Sequence, residues 1–340
     1  MNEQTKNIIK NMSAVAFGLV LCLVIVLLIE GMLAVFHVGE KPAKVIYPKG
    51  YHHRDKFGIV RAKAGEQIVS MHIKQTNKIV YSIKYSIDEY SRRITPVDNV
   101  GKRNKFAMFI GCSFTFGEGV ENNQTLAYYV GENTKQYTPY NYGMHGHGPF
   151  DNLARLQSID YQNEIKEKKG VLIYTFLEPH ISRTIGDSTA MQWKIRDIYY
   201  KKDKSGELVR KGTFLSQQPF HSSLYFILGK SRILRMLGIT FPLKFSQKDI
   251  SLTADVIEAM KKTFLSHYPQ SRFYVLIYPG SLYVKEILEE LNQRKIDYLD
   301  YTHLFDIHDP KYYLCKEDQH PSAFAYEVLA KKLIQDIWLK

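Results

Sequence analysis

Polar side chains all but vanish early in the chain. The run SAVAFGLVLCLVIVLLIEGMLAVF, Ser13 to Phe36, holds Glu30 as its only charge. At 1.5 Å per residue it spans roughly 36 Å, more than the roughly 30 Å hydrocarbon core of a bilayer. A cleaved signal peptide has an apolar core of only about 7–15 residues and a small-x-small site behind it. Neither is evident. The pattern predicts one uncleaved transmembrane anchor at 13–36 behind a short tail at 1–12, with Glu30 near the far end, where an interface can solvate it.

The pattern then changes to strict alternation. Between residues 41 and 100, QIVSMHIKQ and KIVYSIKYSI (Lys78 to Ile87) predict two strands of a small β-rich lead-in segment. From residue 101 to 340, short and nearly continuous apolar runs recur between helical stretches: KFAMFIG, TPYNYG, GVLIYTFL (Gly170 to Leu177), SRFYVLIYP (Ser271 to Pro279) and IDYLDY (Ile296 to Tyr301). Helical spacing marks Ala254–Ser266, Val284–Gln293 and Ser322–Trp338. Such alternation predicts an α/β domain with a parallel sheet covered on both faces. Loops that carry function gather at the carboxyl ends of those strands, where Ser113, Gly143 and the LEPH turn all fall. An insertion at about 191–248 breaks the alternation. It reads as a hairpin turning at Ser205-Gly206 and a basic amphipathic helix, SSLYFILGKSRILRML, expected over the strand ends as a lid, as a membrane or substrate contact, or packed on the domain by its apolar face.

Composition narrows the partners. Hydrophobic residues make up 45% of the 340-residue chain, which excludes a mostly disordered protein. Lys+Arg 46 against Asp+Glu 34 gives +12, which suits anionic partners such as headgroups or acidic glycans. The lysines are scattered, with no basic stripe carrying interleaved aromatics, so no nucleic acid partner is expected. Lys6 and Lys10 before the anchor and Lys41, Lys44 and Lys49 after it leave the charge rule undecided. A short tail before an anchor and a long domain behind it suit export, so the expected site is a bacterial inner membrane with the domain outside the cytoplasm. Cys112 and Cys315 form a disulfide only if their loops meet; small buried thiols are the other reading.

Candidate chemistry begins in FIGCSFTFGEGV, Phe109 to Val120, where an apolar run ends in a turn holding Ser113. Alone, that serine reads equally as a helix cap. A serine nucleophile needs a base, and the base an acid to orient it. CKEDQHPS supplies His320 just before the last helix, with Asp318 two positions earlier and Glu317 three. His145 and His147 sit in a glycine-rich loop, where they are expected to shape the pocket mouth; no metal or cofactor is expected.

These blocks together resemble the SGNH/GDSL hydrolase family. GCSFTFGEGVENNQT is similar to its first block, with Cys112 where an aspartate usually stands; NYGMHGHGPFDN is similar to the second and EDQHPS to the last. SIDEYSRRITP is similar to the segment preceding the domain in membrane-anchored members. The resemblance implies a three-layer α/β/α flavodoxin-like fold, Ser113 as nucleophile, His320 as base and Asp318 as third member, with Glu317 as the alternative acid. It further implies an oxyanion hole from the N–H groups of Ser113 and Gly143. The third block departs: where the family places an asparagine, FLEPHISR puts Pro179 or His180, whose ring reads equally as a substitute donor or as a structural group bonded to Glu178. The resemblance thus implies a membrane-anchored serine esterase or acyltransferase acting on acyl esters, O-acetyl foremost, of an envelope glycan or lipid. The departure leaves open a domain on the same fold that only binds envelope polysaccharide.

Overall fold

The computed structural model describes residues 3–40 and 42–339. The first helix, α1, covers Glu3–Val35 and so begins before Ser13, because the tail is rich in the helix formers Glu, Gln and Lys. It is long and apolar enough to cross a membrane, with a mean hydropathy of 3.0 over its most apolar stretch, none of which is buried in the protein. A core helix would be covered. The lead-in segment follows as three antiparallel strands in the order β1 (Ala43–Ile46), β2 (Gly65–Ile73) and β3 (Ile79–Ile87). Alternation along β2 turns Gln67, Val69 and Met71 inward, and Val69, Tyr85 and Ile87 pack with Tyr51, Phe116 and Met144.

The main domain then proceeds through β4 (Lys105–Ile110), the short α2 (Ser113–Phe116), α3 (Leu126–Asn133), β5 (Tyr137–Asn141) and α4 (Pro149–Ser158). Next come β6 (Gly170–Phe176), α5 (Pro179–Ile185), the hairpin β7 (Ile198–Lys202) and β8 (Leu208–Thr213), α6 (Pro219–Lys230) and α7 (Arg232–Met236). The chain closes with α8 (Gln247–His267), β9 (Arg272–Ile277), α9 (Val284–Gln293), β10 (Tyr298–Asp300), the hairpin β11 (Tyr313–Cys315) and β12 (Asp318–Pro321), and α10 (Ala323–Trp338).

Five of these strands form a parallel sheet in the order β10-β9-β6-β4-β5. Both faces are covered, so the central strands are largely apolar: Phe106, Met108 and Ile110 of β4 enter one core with α4 and α8, while Ala107 and Phe109 enter the other with α3 and α10. Numbered along the chain, the sheet order is 2-1-3-4-5, the flavodoxin-like winding. Its direction reverses between β4 and β6, and a crevice opens at their carboxyl ends. The insertion is no lid over that crevice. Ile198, Tyr200 and Phe214 pack with Phe150 in the main core, and the expected single helix is broken at Ser231 into α6 and α7.

One side chain joins the lead-in segment to the sheet. Arg93, 2% exposed, donates to the carbonyls of Phe116 (3.1 Å), Gly117 and Val120 (2.6 Å) and to Asn122 Oδ1 (3.0 Å). Its guanidinium lies 4.4 Å from the Tyr85 ring, and its own N–H bonds the Asn141 carbonyl. Gly117 is required beside it: φ is +87°, and a Cβ would meet Thr125 at 2.7 Å. Arg93→Ala leaves several buried carbonyls unpaired at about 1–3 kcal/mol each, so a loss of at least about 3 kcal/mol is expected. Thermal unfolding of the full chain in detergent should fall by about 6 °C or more, and Arg93→Lys should recover only a minor part, lacking the planar fork.

Candidate active site

β4 delivers the chain into the crevice, Cys112 stays extended, and Ser113 opens the four-residue α2. From the far end of the sequence, β12 brings His320 to the same place. Ser113 Oγ lies 2.7 Å from His320 Nε2, and His320 Nδ1 lies 2.5 Å from Asp318 Oδ1. A carboxylate only accepts, so Nδ1 carries the proton and neutral His320 accepts from Ser113. Residues two apart share a face of a strand, which aligns Asp318 with His320 and turns Glu317 away. Glu317 lies 3.6 Å from Lys316 Nζ instead.

Two expected oxyanion donors are placed otherwise. The Gly143 N–H donates to Asn141 Oδ1 at 3.0 Å, so it is already engaged. Gly143 serves close approach: a Cβ there would meet Phe116 N at 2.2 Å. His180 is fully buried rather than turned into the crevice, with Nδ1 2.7 Å from the Tyr174 hydroxyl. Burial, with the Arg183 and Lys194 charges, pushes its pKa well below the usual histidine value. The Ser113 N–H stands in a helical first turn, where such groups lack intrahelical partners. His145 and His147 do not shape the mouth either; His147 is buried on the Val60 carbonyl at 2.8 Å. Cys112 and Cys315 are free thiols.

Beside the serine and histidine lies a carboxylate that sequence reasoning passed over. Glu118, between the two glycines of the GEGV turn, is 4% exposed with Oε2 3.5 Å from His320 Nε2. The same oxygen is 2.8 Å from His145 Nδ1, and Tyr47 donates to Oε1 at 2.7 Å. Tyr51 in turn meets His145 Nε2 at 2.9 Å. Burial resists ionisation of Glu118, but the His145 and His320 charges and the bonds from His145 and Tyr47 hold its pKa below the ordinary carboxylate range. For His320 burial opposes the charge, while Glu118 and Asp318 outweigh it and raise the pKa. Nearby His52 is pushed down to about 4 by burial and by His145. A carboxylate between two glycines in an apolar run was the available signal.

Two recesses flank Phe114, the residue after the serine. One, about 520 Å³, is bounded by Pro42, Ala43, Val45, Met71 and His320, so the lead-in strand β1 forms a wall of the crevice. The other, about 230 Å³, is bounded by Glu178, Arg183, Tyr278 and Leu282. Arg183 is held there by donating to the His147 carbonyl at 2.9 Å.

A serine after the first sheet strand, an Asp-x-His before the last helix and the 2-1-3-4-5 order now stand together. The fold is SGNH-hydrolase-like. Solved structures similar to this chain include a G-D-S-L family lipolytic protein from Desulfitobacterium hafniense DCB-2, 14% identical, covering 68% of this chain and 98% of that one at a TM-score of 0.36. Another member of that lipolytic family, from Veillonella parvula DSM 2008, is 11% identical over 69% of this chain and 99% of its own, with a TM-score of 0.38. An acetyl xylan esterase from Butyrivibrio proteoclasticus is 12% identical over 69% and 64%, with a TM-score of 0.36. No protein-family model and no curated protein matches the chain.

The electrostatics make a pH prediction. Only neutral His320 can accept the Ser113 proton, and its raised pKa keeps it protonated further up the pH scale. The acidic limb of Ser113 reactivity should therefore lie above the ordinary histidine pKa of about 6.5. Glu118→Gln removes the charge that favours the imidazolium, so the limb should move to lower pH. Rates of modification by a serine-directed phosphonate across pH 5–9 would check both; an unmoved limb in Glu118→Gln would remove Glu118 from the electrostatics.

Proposed function

We propose that this protein is a membrane-anchored serine esterase or acyltransferase acting on acyl esters, O-acetyl foremost, of an envelope glycan or lipid. The observation that carries the reading is the unbroken relay from Ser113 Oγ to His320 Nε2 at 2.7 Å and from His320 Nδ1 to Asp318 at 2.5 Å. Ser113 Oγ attacks the ester carbonyl while its proton passes to His320 Nε2. Asp318 holds the ring in the tautomer this requires and stabilises the imidazolium. Glu118, 3.5 Å from the same nitrogen, faces that proton once it has moved. The tetrahedral adduct then expels the alcohol, which takes the proton from His320. Water, or a sugar hydroxyl in a transferase, then attacks the acyl-enzyme carbonyl as it gives up a proton to His320; the bond to Ser113 Oγ breaks, and His320 returns the proton to Ser113. The developing oxyanion is met by the Ser113 N–H. A preorganised donor of this kind contributes about 3 kcal/mol.

α1 serves as the anchor, and the domain lies on the outer side of a bacterial inner membrane. Support for a membrane-proximal substrate comes from the crevice wall: Pro42, Ala43 and Val45 line it only a few residues beyond the apolar run. A second reading, a domain that binds envelope polysaccharide without turnover, is favoured by the loss of Gly143 and His180 as donors.

A fluorophosphonate separates the two. The full chain in detergent should gain one adduct by intact mass, and Ser113→Ala and His320→Ala should gain none. Asp318→Asn should react more slowly by about 10³-fold or more, as expected when the tautomer is lost; Glu317→Gln should react as the parent does. A folded parent chain that stays unmodified would favour the binding reading.

A further inference from the structure

We propose that α6, α7 and the loop running to Leu243 form an interfacial element seated among lipid headgroups beside α1. This rests on the reading of α1 as a membrane anchor. The first observation is where α7 is fastened. Glu30 lies six residues before Phe36, the end of the apolar run, and so about 9 Å inside it at 1.5 Å per residue. Its carboxylate accepts from Ser231 Oγ at 2.5 Å, the Arg232 N–H at 2.8 Å and the Ile233 N–H at 3.2 Å. Arg232 continues upward along the anchor, donating to the Val38 carbonyl at 3.1 Å and to Glu40 at 2.9 Å. The only charge in the apolar run is thus satisfied by the start of α7. If α1 spans the bilayer, α7 begins inside its margin.

The second observation is what the element shows to its surroundings. Phe220 (81% exposed), Leu224 and Ile227 recur at i, i+4 and i+7 on one face of α6. Met236, Leu237 and Leu243 (72% exposed) extend the apolar surface past α7. Pro219 to Lys248 contains no Asp or Glu but carries Lys230, Arg232, Arg235, Lys244 and Lys248. Apolar projections with cationic neighbours and no acids match the edge of an anionic bilayer. The same charges repel a second copy placed face to face, so lipid is the occupant.

The test uses the full chain in nanodiscs of phosphatidylethanolamine and phosphatidylglycerol, with Cys22 and Cys315 replaced by serine; Cys112 is fully buried. A fluorophore is placed by Ile227→Cys, Leu237→Cys, Lys204→Cys at the exposed tip between β7 and β8, or Leu21→Cys within α1. Nitroxide lipids with shallow or deep labels serve as quenchers. Shallow labels should quench positions 227 and 237 at least about twofold more than position 204, and deep labels should quench position 21. Deep quenching at 21 with 227 and 237 no different from 204 would overturn the proposal and leave the anchor standing. No quenching at 21 would overturn the anchor reading and the proposal with it. Quenching at 227 by a nitroxide on a second copy of the chain, and not by lipid, would overturn it in favour of self-association.

Discussion

A guanidinium in a fully buried position must find acceptors or it unfolds its surroundings. Arg93 finds them in the turn that follows Ser113. Its partners are carbonyls and one side-chain amide, so its charge is spread over backbone dipoles rather than matched by a carboxylate. That arrangement fixes the turn as firmly as a strand pairing would. Asn141 completes it by donating to the Phe116 carbonyl at 3.2 Å while accepting from the Gly143 N–H. Two loops from adjacent parallel strands are thereby locked to each other and to the lead-in segment. The lead-in sheet is not an ornament on the domain, because removing it would strip the Ser113 turn of its main donor.

The same segment reaches the site a second time through charge. Tyr47 and, by way of His145, Tyr51 hold Glu118 in place, and Glu118 faces the nitrogen that would receive the serine proton. A buried carboxylate there has opposed effects on the proposed chemistry. It stabilises an imidazolium formed as the proton transfers, and it lowers the fraction of neutral base in the resting protein. The first effect gains where the working pH lies above the histidine pKa and loses below it. Asp318 raises the same pKa, but it does so from Nδ1, the nitrogen that keeps its proton, where it also fixes the tautomer the base requires.

What could be read from residues alone follows from how local each signal is. The apolar strands announce a doubly covered sheet because burial on both faces leaves no room for alternation. Asp318 and His320 can be paired because a spacing of two is a one-face relation in any strand, whereas a spacing of three, as for Glu317, is not. Gly143 misleads because a glycine permits both a free N–H and close packing, and only the folded loop shows its N–H held by Asn141 and its Cα packed on Phe116. His180 misleads similarly: its partner Tyr174 lies in the preceding strand, and nothing near it in sequence signals full burial. Arg93 and Glu118 escape notice because each acts across elements far apart in the chain. An arginine in SRRITP looks solvated until the carbonyls it caps come into view.

Membrane, insertion and crevice constrain one another. Ala43 stands seven positions beyond Phe36, a tether of at most about 24 Å when fully extended. Ala43 already borders the recess that contains His320. The tether is not slack, because Arg232 draws Val38 and Glu40 onto α7. With α7 tied to Glu30 on one side and α6 packed on the domain on the other, the domain has two attachments to α1 and cannot swing freely about one. On the proposed reading, Ser113 then works close to the lipid surface. An acyl group on polymer already displaced far into the envelope lies outside its reach, whereas one carried on a lipid, or on a glycan still held at the membrane, can enter the crevice beside β1. The short tether thus narrows the substrate by position before the pocket narrows it by shape.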